Sequence, residues 1–293
     1  MIDSVGADQH LCALYNLRRM PRIHPTALIL GDVTLAPDVE VGPFCIIEGC
    51  PGAVTIGAGT RLLHRASIQG PCVIGEKNIL YPGCTLGFPP QDLGFNPAEA
   101  GPGMIVGNEN VFREGVTIHR GKTQQPTRVG HHNYFMVNSH MGHDGVIGDR
   151  CILANGALLA GHVEIGDRVI FGGNATVHQF CRVGRGSFLG GGMGLSLDLP
   201  PFFMLTATNI AASLNLIGMR RSGMPSEHID AVRWVFKILQ RSRLQTSAAV
   251  ALLQQRAGEP IIDEYIAFVK SSKRNIAPAV GKATRGTAPS TSH

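Results

Sequence analysis

Residues 129–189 read VGHHNYFMVNSHMGHDGVIGDRCILANGALLAGHVEIGDRVIFGGNATVHQFCRVGRGSFL. Taken every sixth residue, this stretch is Val129, Phe135, Met141, Ile147, Leu153, Leu159, Ile165, Phe171, Val177, Val183 and Leu189, all apolar. In a chain that is 44% hydrophobic, a fixed frame would do this by chance roughly once in ten thousand draws. The period is therefore a structural signal. It fits neither a helix of 3.6 residues per turn nor an alternating strand. It fits a triangular coil with three short strands and three corners, one aliphatic side chain pointing inward near each corner. Stacked coils pair their strands in parallel and bury a continuous apolar column.

The same frame extends in both directions. Ile23, Ile29, Leu35, Val41 and Ile47 form one block. Ile56, Leu62, Ile68, Ile74, Leu80 and Leu86 form another, and Val106, Phe112 and Ile118 continue it. Glycine often follows the apolar residue, as at Gly42, Gly57, Gly75, Gly107, Gly130, Gly148, Gly166 and Gly184. Glycine at a corner adopts backbone angles that other residues resist, and this is the role expected for it here. About 25 hexapeptides make about eight coils, roughly 40 Å at strand spacing. Insertions rich in Pro, Gly and polar residues break the repeat at 87–105 and 119–128. Loops of this kind, held on a rigid scaffold, often carry function.

The pattern fades near Pro200-Pro201, and after Met224-Pro225-Ser226 the period becomes helical. Ile229, Val232, Phe236 and Leu239 read as one helix face, and Ala248–Gln254 and Ile261–Phe268 as two further helices, with Gly258 and Pro260 between them. The expected organisation is an N-terminal extension over 1–21, the coil over 22–205, a small helical domain over 206–275 and a disordered tail over 276–293.

Composition narrows the function classes. Charged residues make up only 16%, and the net charge of +5 is scattered. That argues against a nucleic-acid protein and suits an acidic protein partner or an anionic small molecule. Glycine does not recur every third residue, which excludes collagen. The seven cysteines (12, 45, 50, 72, 84, 151 and 181) are odd in number and include no CxxC, so neither a disulfide framework nor a zinc knuckle is indicated. Reduced, buried thiols in a cytosol are expected. The first twenty residues hold no long apolar run, and neither a secretory signal nor a membrane span is expected.

Histidines are the most informative residues. His140, His143 and Asp144 lie in VNSHMGHDGVIG, His162 in LAGH and His178 in VHQF. His143 and His162 are one coil plus one residue apart, so they should share an edge one layer apart. His162 and His178 are also separated by nearly one coil. A lone histidine can simply decorate a solvent-facing corner, but four on one edge suggest chemistry. A neutral imidazole can take a proton from an alcohol near neutral pH, and Asp144 could orient His143. Neighbours on a strand point to opposite faces, so this pairing requires a corner between them.

The runs SHMGHDGVIGDRCILANGALLAGHVEIGD, VTIHRG and TVHQFC, together with IHPTA and VGPFCII near the start, resemble the UDP-N-acetylglucosamine acyltransferases, within the hexapeptide-repeat acyltransferases. The likeness spans about 22–270 and is strongest at 106–192. It implies a mainly β fold, a left-handed parallel β-helix of hexapeptide repeats followed by a small C-terminal α-helical domain, assembled as a homotrimer in the cytoplasm. It further implies a reaction: His143 takes the proton from the sugar 3-hydroxyl, and that oxygen attacks the thioester of an acyl carrier protein bearing a 3-hydroxyacyl chain, in lipid A biosynthesis. The backbone N–H of Gly161 would hold the oxyanion, while His140, His162, His178 and Gln179 line the cleft. Asp92, in the QDL motif, would contact the UDP-sugar. The resemblance calls for neither metal nor cofactor. Gly191, in a glycine run that otherwise reads as a tight corner, would border the acyl channel. Asn215, Arg220 and Arg221 would lie near the nucleotide or the carrier, with Arg233, Lys237, Arg241 and Arg243 extending the basic surface.

The chain also departs from the family. Position 94, commonly lysine, is Gly94, and the loop after it is longer. In the run Asn215–Gly223 the usual acidic residue is Ile217, and Ser222 separates the arginine pair from Gly223. Both departures fall where substrate should be read. Three alternatives therefore stay open: acylation of a different, amino, sugar; a zinc enzyme of carbonic-anhydrase type using the histidines as ligands; and a scaffold that binds without turnover.

Overall fold

The computed structural model describes residues 20–279 except 243. Residues 1–19 of the extension expected over 1–21, Arg243, and residues 280–293 of the tail expected over 276–293 lie outside the described residues; at the start of that tail Ala277 is buried and its N–H donates to the Asp198 carbonyl. The chain divides into two compact units, Met1–Asn138 and Ser139–His293. Each carries stacked coils of a left-handed parallel β-helix, about ten turns in all. The repeat count underestimates this, because the coil continues past Leu189 through Gly194–Leu195 and Phe203–Leu205.

In the first unit one sheet runs Arg22–Ile23, Glu40–Val41, Arg61–Leu62, Ile79–Leu80, Val111–Phe112 and Tyr134–Phe135, all parallel. The long strand Ile46–Ile56 serves two columns. Its first part pairs with Ser67–Gln69 and its last part with Cys72–Ile74. Both insertions leave the coil at one corner. Thr85–Phe88 and Thr117–His119 are stacked partners before it, Met104–Val106 and Thr127–Val129 stacked partners after it. The coil thus resumes in register after each loop.

In the second unit one column runs His140–Met141, Leu158–Leu159, Thr176–Val177 and Gly194–Leu195. Another stacks Val146–Ile147, Glu164–Ile165 and Arg182–Val183. A third runs Ile152–Leu153, Ile170–Phe171, Phe188–Leu189 and Phe203–Leu205 before Ser213–Leu214 turns antiparallel.

From Val41 onward the apolar frame forms the core, with Ile47, Leu80, Phe135, Leu159, Phe171 and Leu189 fully buried. Ile23, in the first described coil, is 44% exposed. A second, smaller residue two positions earlier also points inward: Ala157 before Leu159, Val169 before Phe171, and Cys45, Cys72, Cys84, Cys151 and Cys181 before their own apolar partners. Small and large side chains alternate to fill the triangular section at close-packed density. Burial pushes the Cys72 and Cys151 thiols up to about 12 and Cys181 to about 11.

The corner glycines act differently from expectation. The left-handed backbone angles belong to the second corner residue: Asp144, Arg150, Gly156, His162, Arg168, Asn174, Phe180, Gly186 and Gly192, each six residues after the last, with φ of 55–68°. The glycines that follow the apolar residues instead let coils approach. A Cβ on Gly166 would lie 2.6 Å from the Arg185 backbone nitrogen on the next coil.

Among the described residues, four α-helices follow the coil: α1 (Leu216–Arg221), α2 (Ser226–Phe236), α3 (Thr246–Gln254) and α4 (Pro260–Lys270). Helix α2 runs into a π-helical turn at Lys237–Arg241, so Leu239 lies beyond the expected helix face. Helix α1 is not signalled by periodicity, being too short. Tyr265 on α4 donates its hydroxyl to the Pro201 carbonyl at 2.6 Å, and Arg185 grips Glu264 through two bonds of 2.7 Å. These contacts seat α4 on the last coils.

Candidate active site

The strands His140–Met141 and Leu158–Leu159 each deliver the chain into a two-residue corner: His143-Asp144 on one coil and Gly161-His162 on the next. Gln179-Phe180 occupies the same corner one coil further. Asp144, His162 and Phe180 each take the left-handed conformation, with φ of 57°, 59° and 63°. That conformation breaks strand alternation and turns Asp144 toward its neighbour. The His143 Nδ1 lies 2.6 Å from Asp144 Oδ2, with the carboxylate only 3% exposed and the imidazole 15%. A carboxylate can only accept, so Nδ1 carries the proton and Nε2 is the basic nitrogen.

His162 closes the cluster from the next coil. Its Nε2 lies 3.8 Å from the same Asp144 oxygen, and its ring meets the His143 ring edge-on at 5.1 Å. The far face of His162 stacks on Phe180 at 4.4 Å and 10°. The backbone locks the pair as well: His162 N donates to the His143 carbonyl and Phe180 N to the Gly161 carbonyl. Gly161 lets the His143 ring pack closely, since a Cβ there would lie 3.1 Å from both Cε1 and Nε2 of His143 and push the ring aside by a few tenths of an ångström. Among the described residues, the Gly161 N–H donates to no backbone carbonyl.

The expected edge therefore gathers His143, Asp144, Gly161 and His162. His140 lies half-buried on the strand entering the corner. His178 and Gln179 lie exposed on the next coil, His178 Nδ1 being 3.2 Å from the Gln179 carbonyl. Gly191 is an exposed corner residue beside the left-handed Gly192. Asn215 caps α1: Oδ1 accepts from Gly218 N and Nδ2 donates to the Gly186 carbonyl, both at 2.9 Å. The helix then presents Arg220 and Arg221 to solvent. Of the basic residues beyond, Arg233 pairs with Asp230 at 2.8 Å, and Arg241 lies over Phe236. Phe180 escaped the sequence reading. Its position 18 residues after His162 was the available signal.

His143, Asp144 and His162 also offer ligand atoms within 4.8 Å of one another. The zinc alternative drew its ligands from His140, His143, His162 and His178, whereas this set has two histidines and a carboxylate. The Asp144 oxygen already accepts a short bond from His143, which a cation would have to displace. The arrangement is better suited to proton transfer: a basic nitrogen oriented by a buried carboxylate, beside a backbone N–H.

In the first unit Asp92 sits on the first insertion. Its Oδ1 accepts from Gly94 N at 2.8 Å and its Oδ2 pairs with Lys122 Nζ at 2.7 Å. No helix among the described residues is long and apolar enough to cross a membrane.

The profile of a family described as Udp N-acetylglucosamine O-acyltransferase, Domain 2, matches residues 198–277. The chain is 38% identical over 258 residues to the acyl-[acyl-carrier-protein]–UDP-N-acetylglucosamine O-acyltransferase of Anaeromyxobacter dehalogenans, covering 87% of this chain and 98% of that one. It also superposes on the crystal structures of the UDP-N-acetylglucosamine acyltransferases of Francisella novicida (TM-score 0.82, 32% identity, 87% and 94% of the two chains) and Moraxella catarrhalis (TM-score 0.82, 36% identity, 87% and 99%).

Proposed function

This chain belongs to the family of acyl-carrier-protein-dependent UDP-N-acetylglucosamine O-acyltransferases, and we propose that it transfers a 3-hydroxyacyl chain from acyl carrier protein to the 3-hydroxyl of UDP-N-acetylglucosamine, the first step of lipid A biosynthesis. The observation that carries the reading is the His143–Asp144 pair at 2.6 Å on a corner shared with Gly161 and His162. His143 Nε2 takes the hydroxyl proton as the sugar oxygen attacks the thioester carbonyl. Asp144 stabilises the imidazolium that results. The Gly161 N–H donates to the oxyanion of the tetrahedral intermediate. Its collapse expels the carrier thiolate, which recovers the proton from His143.

His140, His162, His178 and Gln179 line the substrate cleft in this reading, and Asp92 contacts the UDP-sugar. Gly191 leaves room for the acyl chain. Asn215 fixes the helix whose Arg220 and Arg221 face the nucleotide or the acidic carrier, and the basic residues on and after α2 steer that carrier. We read the working form as a cytoplasmic homotrimer, with the organisation 22–205 coil and 206–275 helical domain. The buried thiols support a reducing compartment. The outward-facing Val73 and Ile105, stacked in register, support a subunit interface.

The test is incubation with carrier-bound 3-hydroxyacyl chains and either UDP-N-acetylglucosamine or its 3-amino analogue, followed by mass analysis. An ester product from the first sugar supports the proposal. Product only from the amino sugar would shift the assignment to amide formation, and none from either would favour a binding scaffold.

A further inference from the structure

The two insertions emerge from one corner on adjacent coils, so residues 30 apart in sequence meet at their tips. Beneath them, Arg120 is wholly buried. Its guanidinium donates to Gln69 Oε1 and the Gly87 carbonyl on the coil, and to the Pro97 and Glu99 carbonyls on the first insertion, while lying 5.7 Å from the Phe95 ring centroid. This ties the first insertion to the coil two residues before Lys122. All of these hydrogen-bond partners are neutral, so they leave the charge of Arg120 uncancelled. Above it, Lys122 on the second insertion pairs with Asp92 on the first.

Lys122 Nζ meets Asp92 Oδ2 at 2.7 Å, and the two side chains are 30% and 33% exposed, within reach of a ligand. The position of the ammonium is informative. A Cβ on Gly94 would lie 3.2 Å from Asp92 Oδ1 and 3.9 Å from Lys122 Nζ. The Lys122 ammonium thus lies in van der Waals contact with the place where a side chain at position 94 would begin, and 94 is where the resembling family commonly carries lysine.

We propose that Lys122 is a specificity-determining residue that binds the phosphate groups of the sugar nucleotide beside Asp92, the second insertion supplying a cation that position 94 has lost. The inference rests on the sugar-nucleotide reading above and names the residue that recognises its anionic part. An ammonium carries three N–H donors on a flexible stem, so it can hold a carboxylate and a phosphate oxygen together. An ion pair this exposed contributes little to folding, which separates a recognition role from a structural one.

The experiment measures UDP binding by calorimetry and steady-state kinetics for the wild type, Lys122→Ala, and Lys122→Ala combined with Gly94→Lys. The loss of one charge-assisted hydrogen bond raises the UDP Kd and the sugar-nucleotide KM by about 10- to 100-fold, with kcat and Tm nearly unchanged. Lysine at 94 restores most of the affinity. Unchanged Kd and KM in Lys122→Ala would overturn the proposal. So would a loss accompanied by a lowered Tm and faster proteolysis of the first insertion, with no rescue from position 94, because Lys122 would then be a loop clamp. A wild type that binds UDP through Lys122 but forms no acylated product sinks the transferase reading and leaves this one standing. A wild type that does not bind UDP overturns both.

Discussion

Replacing Asp144 by Asn removes one charge while leaving the corner in place. Asn tolerates the left-handed conformation that position 144 adopts, with φ 57°, and its amide oxygen can still accept from His143 Nδ1. What is lost is the attraction between the carboxylate and the imidazolium formed during proton transfer. At an effective dielectric near 20, unit charges about 4 Å apart attract by about 4 kcal/mol. The partial exposure of His143, 15% against 3% for Asp144, allows solvent to screen some of this, leaving about 2–4 kcal/mol. At about 1.4 kcal/mol per decade, kcat should fall about 30- to 1,000-fold. If the amide turns its NH₂ to the ring, the tautomer reverses and the loss deepens toward about 10⁴-fold. The assay is steady-state transfer from carrier-bound acyl chain to UDP-N-acetylglucosamine, with KM and Tm measured alongside. The expectation is a kcat defect with a nearly unchanged Tm. A kcat within about threefold of wild type, well short of the smallest loss worked out above, would refute the assignment of Asp144 as the partner of the base.

Gly161→Ala places a methyl 3.1 Å from His143 Cε1 and Nε2 and should displace the base, lowering kcat by about tenfold or more, while Tm changes little. Leu159→Ala empties a fully buried core position and should cost about 2–5 kcal/mol in denaturant unfolding. Thiol labelling at pH 8 should modify Cys50 alone among the described cysteines. Cys50 is exposed, whereas burial raises the Cys72, Cys151 and Cys181 values to about 12, 12 and 11. Those thiols stay protonated below these values and react only on unfolding; rapid labelling of Cys151 in the folded protein would contradict the packing described.

The coil was legible because one residue in six must face a narrow apolar interior, and from Val41 onward the frame has no polar exception. The second inward position was also written in the chain, since Cys45, Cys72, Cys84, Cys151 and Cys181 all precede a frame residue by two. Glycine was harder to read. Its spacing marked the corners, but at Gly166 it serves close approach between coils, while residues such as Asp144 and Asn174 take the left-handed angle. The histidine edge followed from arithmetic on the repeat, which brings His143 and His162 into ring contact. Phe180 and Lys122 did not stand out, because their meaning depends on which side chain they meet one coil away. Helix α1 is too short for periodicity, and only its cap, Asn215, marks it.

The most direct test of His143 as the general base is a single-turnover measurement with His143→Ala, made together with UDP-N-acetylglucosamine binding by the same protein. Binding should stay close to wild type and the ester-forming rate should fall by about 10²–10⁴-fold, the range for loss of a general base. Turnover near the wild-type rate would contradict that role and would remove His143 from the reaction.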